Sequence, residues 1–410
     1  MTHSAYAPRL LTRAPDAPAE TLDEYRAAGG YAALLRARAE GPESVLEKLR
    51  EADLRGRGGA GFPVATKWEL TRTSEGAAKH VVVNGGEHEP GSIKDRTLMA
   101  RYPHRVLEGA AICAEVVGAS SIVLYLIEDM VDAIHAAGRA ISEARHAGLL
   151  GGVEARVALA PTTYVAGEET AALEVIEGRK AWPRKTPPFP GQAGLHGQPT
   201  SVQNVETLAW VPGIVEQGWA WFQPGAMLCT LDESFARPGL VEVPLGITLR
   251  ELIEVHGGGT RGGQPVKAIL PALSSSFLPA AALQTRLEHA AIRDAGSNLG
   301  CGGFSVIEQG TCIVERALSI AEFFKKEQCG QCPPCRMETN TIAAVFQKVA
   351  SGEAGEGAAY QAQVEKVTAF TKGKGLCSLI EMAAAPALSA LRLFPADFAA
   401  HAATGRCPAS

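Results

Sequence analysis

Three cysteines, Cys329, Cys332 and Cys335, stand in the stretch Glu327–Arg336 (EQCGQCPPCR), with two residues between neighbours. A fourth, Cys377, follows about forty residues on. Three thiolates on one tight loop and one from elsewhere can enclose a cubane cluster, and C-x2-C-x2-C is a usual three-ligand run for iron–sulfur centres. Structural zinc also takes four cysteines. It more often uses two separated C-x2-C knuckles, and here the second half offers a single cysteine. Disulfide frameworks belong to small secreted scaffolds rather than to a 410-residue chain with nine cysteines. The spacing therefore favours an iron–sulfur cluster, with zinc the alternative. Cys113, Cys229, Cys301 and Cys312 sit in apolar or Gly-rich settings and read as structural thiols.

A second set of residues suits a phosphate-bearing ligand. In Leu54–Pro63, Gly56, Gly58 and Gly61 match G-x-G-x-x-G. A dinucleotide fingerprint must follow a strand and open a helix. Here a helical pattern, Pro42–Leu54, precedes the glycines, and the first strand, His80–Asn84, comes afterwards. The ordinary Rossmann fingerprint is thus rejected. What remains is a run of backbone N–H groups without Cβ obstruction, able to cradle phosphate, with Arg55, Arg57 and Lys67 adding positive charge; the alternative is a flexible surface loop. The strand end carries the acidic, Gly-rich turn Asn84–Gly91. Tyr164–Thr170 follows a later strand and opens a helix with Glu168 and Glu169 at its positive end. A basic, Pro-rich crossing, Arg184–Pro190, leads to Pro199–Thr207. There Gln203, Asn204 and Thr207 can bond a heteroaromatic ring or cap the helix they enter.

The positioning elements alternate. Strands at His80–Asn84, Ser121–Ile127 and Ala155–Ala160 are separated by helices near Pro103–Val117 and Met130–Ala147, which predicts an open, largely parallel α/β sheet. Short strands at Pro238–Gly246 and Val266–Leu270 surround a helix, Leu249–His256, as in a compact β-grasp. A strand, Phe304–Glu308, and a helix, Cys312–Lys325, then deliver the cysteine loop, and the remainder is helical. The boundaries expected are an N-terminal arm over 1–24, an α/β domain over 25–220, the β-grasp-like domain over 221–296, a helical domain over 297–395 and a loose tail over 396–410. The net charge of −5 gives no reason to expect nucleic acid or an anionic membrane as partner. Neither an N-terminal apolar region of signal type nor a run of about 18 apolar residues occurs. A cytoplasmic, reducing location follows as the expectation, with any peripheral membrane association made through partners.

With these segments in place the chain resembles the NADH-binding flavoprotein subunit of respiratory complex I and of related NAD-linked hydrogenases and formate dehydrogenases. The resemblance covers about residues 25–395. It rests on Arg55–Phe62 with Lys67-Trp68, Asn84 with Glu87–Arg96, Tyr164–Thr170, Pro187–Pro190, Pro199–Thr207, Pro238–Gly246 and the cysteine loop with Cys377. It implies a Rossmann-like domain for FMN and NAD(H), a β-grasp-like SLBB domain and a C-terminal helical bundle carrying a [4Fe–4S] cluster. By motif, Gly56, Arg57, Gly58, Lys67, Asn84 and Glu87 would touch FMN. Tyr164, Gly167, Glu168, Glu169, Val202, Gln203 and Asn204 would complete its site. Phe62, Glu89, Glu169 and Phe189 would sit by NADH, Glu89 orienting the nucleotide. Cys329, Cys332, Cys335 and Cys377 would hold the cluster.

Four positions depart from the pattern. Gly86 stands where an Asp is usual, Leu70 replaces a Phe, Thr186 replaces a Lys, and Gln203 replaces the first of two Asn. The activity implied is NADH oxidation, or NAD+ reduction, at FMN, with single electrons passing through the cluster to iron–sulfur subunits of a larger complex. Two further readings stay open: a sister subunit whose nucleotide binding is impaired at those positions, and a four-cysteine zinc scaffold without activity.

Overall fold

Apolar, β-branched runs alternate with helical repeats, and they fold into a parallel α/β sheet. The computed structural model describes residues 6–355, 357 and 359–407. The chain divides into two compact units. The first holds the chain up to His88, Ser92–Cys229 and Leu240–Leu245; the second holds Glu89–Gly91, Thr230–Gly239 and the chain from Gly246 onward.

In the first unit the principal elements are α1 (Pro42–Glu51), α2 (Val64–Thr73), β1 (His80–Gly85), α3 (Lys94–Arg101), α4 (Pro103–Val117), β2 (Ser121–Ile127), α5 (Val131–His146), β3 (Glu154–Ala160), α6 (Glu169–Ile176), β4 (Thr200–Asn204) and α7 (Val205–Gln217). The sheet order is β3-β2-β1-β4, every pair parallel. Val81, Val82 and Val83 are wholly buried, as expected of a strand covered on both faces. The fourth strand is not legible as one in the sequence. Thr200–Asn204 reads as a helix entry because Val202 is its single apolar residue, yet its residues pair with β1 from His80↔Thr200 to Asn84↔Asn204. Beneath the sheet, α4 and α7 pack at Gly109, where a Cβ would lie 2.0 Å from the Leu208 carbonyl oxygen. The N-terminal arm is fastened rather than loose: the Glu242 carboxylate accepts from the Tyr6 hydroxyl and the Arg9, Leu10 and Leu11 N–H groups at 2.7–2.9 Å.

Further on come β5 (Ala226–Leu231), β6 (Gly239–Pro244), β7 (Val266–Leu270), β8 (Leu278–Pro279) and β9 (Gly303–Glu308). In the second unit the end of β5 pairs parallel with β9 at Thr230↔Gly303 and Leu231↔Phe304, and β7 pairs antiparallel with β9 and with β8. The helix expected at Leu249–His256 begins with a Thr248/Glu251 capping box and widens into a π-helix over Leu252–His256. The long helices of the unit follow: α8 (Ile313–Glu327), α9 (Pro333–Ala350), α10 (Ala359–Thr371), α11 (Leu379–Leu393) and α12 (Pro395–Thr404). The last corrects the expectation of a loose tail. Phe398, His401 and Ala402 of α12 are buried, and the Phe398 ring lies 5.3 Å from that of Phe346. Among the described residues no single helix is long and apolar enough to cross a membrane.

Candidate functional site

The chain builds β1, β2 and β3 outward, then returns to lay β4 on the other side of β1. That reversal is a topological switch point, and open α/β sheets bind ligands outside the carboxyl ends of the strands there. Asn84 and Asn204, expected at the flavin, are register partners at those two ends. The Asn84 amide donates to Gly167 O (2.9 Å) and accepts from Gly86 N (3.0 Å). Asn204 caps α7 by accepting from Glu206 N (3.0 Å). The glycine loop lies against this point: a Cβ on Gly58 would come within 3.4 Å of the Asn204 Cβ. Gly59 and Gly61 have φ of 114° and 63°, which is why glycine is needed there. Among the described residues the N–H groups of Gly58, Gly59, Ala60 and Gly61 have no hydrogen-bond partner. A row of unpaired donors without side chains fits a phosphate, so these residues fit FMN.

Other expected residues gather at the same end. Lys67 Nζ is 2.7 Å from Glu169 Oε2. Tyr164–Gly167 form a 3-10 turn, and Glu168 caps α6 by accepting from Thr170 N (2.9 Å) and Ala171 N (2.8 Å). Burial nonetheless holds the Glu168 carboxyl above its ordinary pKa. Val202 and Gln203 are buried, the Gln203 amide donating to Ser201 Oγ at 3.1 Å. Phe62 and Phe189 are half exposed, 51% and 49%. At Gly86 the space for a side chain is filled: a Cβ would lie 3.0 Å from Asn84 Oδ1 and 3.2 Å from both Gly167 Cα and His88 Cε1. The usual Asp is thus replaced by close packing of the Gly167 turn. In the second unit, Glu89 Oε1 accepts from Ser274 N at 3.3 Å. A separate cavity lined by His80, Ser121, Glu154 and His196 lies at the amino ends of the strands, away from these residues.

Beneath the switch point is a charge network that sequence reasoning missed. Lys94 is 1% exposed and reaches Asp95 Oδ1 (2.7 Å), Glu206 Oε2 (3.3 Å) and Asn204 Oδ1 (3.2 Å). Burial alone would lower the Lys94 pKa, but Asp95, Glu206 and Glu87 together hold it above its ordinary value. Burial raises the Glu206 carboxyl, against the pull of Lys94 and Arg57. Glu87 is turned inward. It accepts from Ser92 Oγ (2.7 Å) and the Asp95 and Arg96 N–H groups (both 3.0 Å), capping α3, and burial followed by Asp95 raises its pKa. Arg57 is also buried: it donates to Ala226 O at 2.8 Å and lies 3.7 Å from Glu206. The positive charge expected of it at the loop is directed to that carboxylate. The signal available was the triplet Lys94-Asp95-Arg96, which reads as an ordinary solvated helix start.

The second unit assembles the cysteines. Cys329 follows α8, Cys332 is the N-cap of α9, Cys335 lies in its first turn, and Cys377 precedes α11. Burial, then the neighbouring thiols of Cys377, Cys332 and Cys329, push Cys335 up to about 12; four thiols thus share one locality. Among the described residues the one group of metal-ligand atoms within 4.8 Å of one another lies elsewhere. Gly375 is required in the Cys377 turn, because a Cβ would lie 2.7 Å from Cys377 O.

One turn beyond Cys335, Glu338 is 1% exposed, accepts a hydrogen bond from the Thr371 hydroxyl, and is pushed by burial to about 7 against an ordinary 4.5. The unfolded chain loses this proton first, so the stabilisation is complete below the ordinary value and is lost as pH rises through about 7. After allowance for solvent screening the effect is on the order of 2 kcal/mol. The protein is expected to melt several degrees lower at about pH 8 than at about pH 5.5. Glu338→Gln should remove most of that difference in scanning calorimetry; an unchanged pH dependence would show that other groups set it.

Comparison with known proteins matches the regions that contain these residues. The Nuo51 FMN-binding domain family matches residues 49–213, the SLBB domain family residues 235–270, and the NADH-ubiquinone oxidoreductase-F iron–sulfur binding region residues 315–401. An F subunit of NADH-quinone oxidoreductase, the second such in Rhizobium meliloti (strain 1021), is 40% identical, over 97% of this chain and 99% of its own. The corresponding F subunit in Streptomyces coelicolor is 36% identical over 95% of this chain and 89% of its own. A chain of the NAD+-reducing [NiFe]-hydrogenase, in the H2-reduced state, superposes with a TM-score of 0.83 at 30% identity, over 96% of this chain and 67% of that one. The chain, which carries FMN-binding, SLBB and iron–sulfur binding regions in that order, belongs to the family of NADH-quinone oxidoreductase F subunits.

Proposed function

We propose that this chain is the flavoprotein subunit that oxidises NADH, or reduces NAD+, at FMN and passes single electrons through one [4Fe–4S] cluster to iron–sulfur subunits of a larger redox complex. The observation that carries the reading is the row of unpartnered N–H groups at Gly58–Gly61 against the Asn84/Asn204 strand ends, in a chain that also gathers four thiols. When bound, FMN exchanges a hydride with nicotinamide and returns electrons singly, and a cluster takes one at a time. The protein supplies position and charge. The Gly58–Gly61 backbone would hold the phosphate, with Lys67 adding positive charge. Asn84 and Asn204 bond polar atoms of the ring system, with Tyr164, Gly167, Val202 and Gln203 around them. Glu87 and Arg57 act from below, as supports of the strand ends. Glu168 and Glu169 set negative charge near the flavin. Phe62 and Phe189 offer exposed rings to the nucleotide, and Glu89 orients it. Cys329, Cys332, Cys335 and Cys377 hold the cluster. The domains run 25–220 for FMN and NADH, 221–296 for the SLBB fold and 297–395 for the cluster, with an arm (1–24) before them and α12 packed against the last. The location is cytoplasmic, peripheral to the membrane where partners place it.

The test is anaerobic mixing of the FMN- and cluster-loaded protein with NADH while the flavin absorbance near about 450 nm is followed. Rapid bleaching supports the reading. Flavin that dithionite reduces and NADH does not would overturn it in favour of a subunit with impaired nucleotide binding, as Leu70, Thr186 and Gly86 would then explain. Glu89→Gln should raise the NADH concentration for half-maximal bleaching about tenfold while flavin content stays constant, a loss of roughly 1.4 kcal/mol. Unchanged kinetics would remove Glu89 from the nucleotide site.

A further inference from the structure

A second thiol cluster lies apart from the four cysteines. Sγ of Cys312, Sγ of Cys407 and a ring nitrogen of His401 are within 4.8 Å of one another. Cys312 Sγ and His401 Nε2 are 3.1 Å apart. Cys312 is the N-cap of α8 and accepts from Glu315 N at 3.4 Å. His401 is a buried residue of α12, 3% exposed. Cys407 is brought back beside it by Gly405, whose left-handed φ of 66° ends α12. The family match for the iron–sulfur region ends at 401, and two of these three residues fall outside it.

We propose that Cys312, His401 and Cys407 bind one zinc-class divalent ion. Two thiolates and an imidazole form a Cys2His set, which leaves the fourth tetrahedral position for water. Zinc bonded at about 2.3 Å to sulfur and about 2.0 Å to nitrogen needs ligand atoms roughly 3.5–3.8 Å apart, and small side-chain rotations bring this set to that spacing. The site suits the charge. The Cys312 sulfur lies at the first N–H groups of a 15-residue helix, α8, where negative charge is stabilised. With Nε2 on the ion, the ring proton sits on His401 Nδ1, which has no protein acceptor among the described residues. Cys312 and Cys407 are half-buried, which gives an ion a path from solvent. Bound there, it ties the end of α12 to the start of α8, the helix that carries the chain to Cys329.

The test uses the cluster-loaded protein under anaerobic conditions, with Zn2+ and Co2+ as probes. The intact protein should take up one Co2+ per chain, with thiolate-to-cobalt charge transfer in the near ultraviolet that one equivalent of Zn2+ abolishes. Cys407→Ser, at a half-buried position near the chain end, should weaken uptake at least about tenfold, since losing a ligand costs more than losing an outer-shell partner. His401→Gln should do the same, and iron content should not change in either variant. Equal cobalt uptake by the intact protein and Cys407→Ser would overturn the proposal. So would no uptake, or recovery of Cys312 and Cys407 as a disulfide with no bound metal.

Discussion

Cys332→Ser is expected to strip the chain of its cluster. Cys332 occupies the middle of the three-thiol run and stands at the N-cap position of α9, so its loss removes a ligand at the point where the helix N-terminus favours negative charge. Iron and acid-labile sulfide should fall below about a tenth of the intact value, because three remaining thiolates do not close a cubane. One-electron transfer that leaves through the cluster should fall with them. Flavin content should survive, since the flavin residues of the switch point belong to the other compact unit. Full retention of iron and sulfide would remove the four cysteines from cluster duty. Loss of flavin along with iron would show that the two units do not stand independently.

Lys94→Met should be the most damaging change in the first unit. The ammonium is the common partner of two buried carboxylates and of Asn204. Removing one member of a buried ion network strands the others and costs about 3–5 kcal/mol, out of a total stability near 5–15 kcal/mol. The melting temperature should fall by about 10 °C. Purified protein should carry little FMN, because Asn204 loses the contact that fixes it. Lys94→Arg should retain more stability, and adding Glu206→Gln to Lys94→Met should recover part of the loss by removing one stranded charge. An unaltered melting temperature in Lys94→Met would show that the network contributes nothing to the fold.

The parts of the fold that the sequence announced were those with strong periodic signals. Ser121–Ile127 and Pro103–Val117 were legible to the residue, because runs of β-branched or closely spaced apolar residues leave few alternatives. Thr200–Asn204 was not, because its stability comes from pairing with β1 and not from its own composition. α12 escaped notice because its alanines carry no helical stripe until Phe398 and His401 are seen buried. At the site, the sequence pattern located the glycine loop, the strand end at Asn84, the helix entry at Asn204 and the cysteine loop. What could not be read was direction. Glu87 and Arg57 point inward to caps and counter-charges, and Lys94 is buried although its neighbours are charged. Burial of a charge depends on partners over 100 residues away, such as Asn204 and Glu206.

The strand order also governs when the site comes into being. β1, β2 and β3 are joined by successive local crossovers, but β4 must return from the far side of α6 to pair with β1. Lys94 and Asn204 meet across 110 residues of chain. Loops of that length close late, because their entropy is spent before the contact repays it. A chain growing from its N-terminus can therefore lay down three strands early and still have no flavin pocket. FMN capture marks the closing of the last strand, and folding intermediates that stop short of it should carry no FMN.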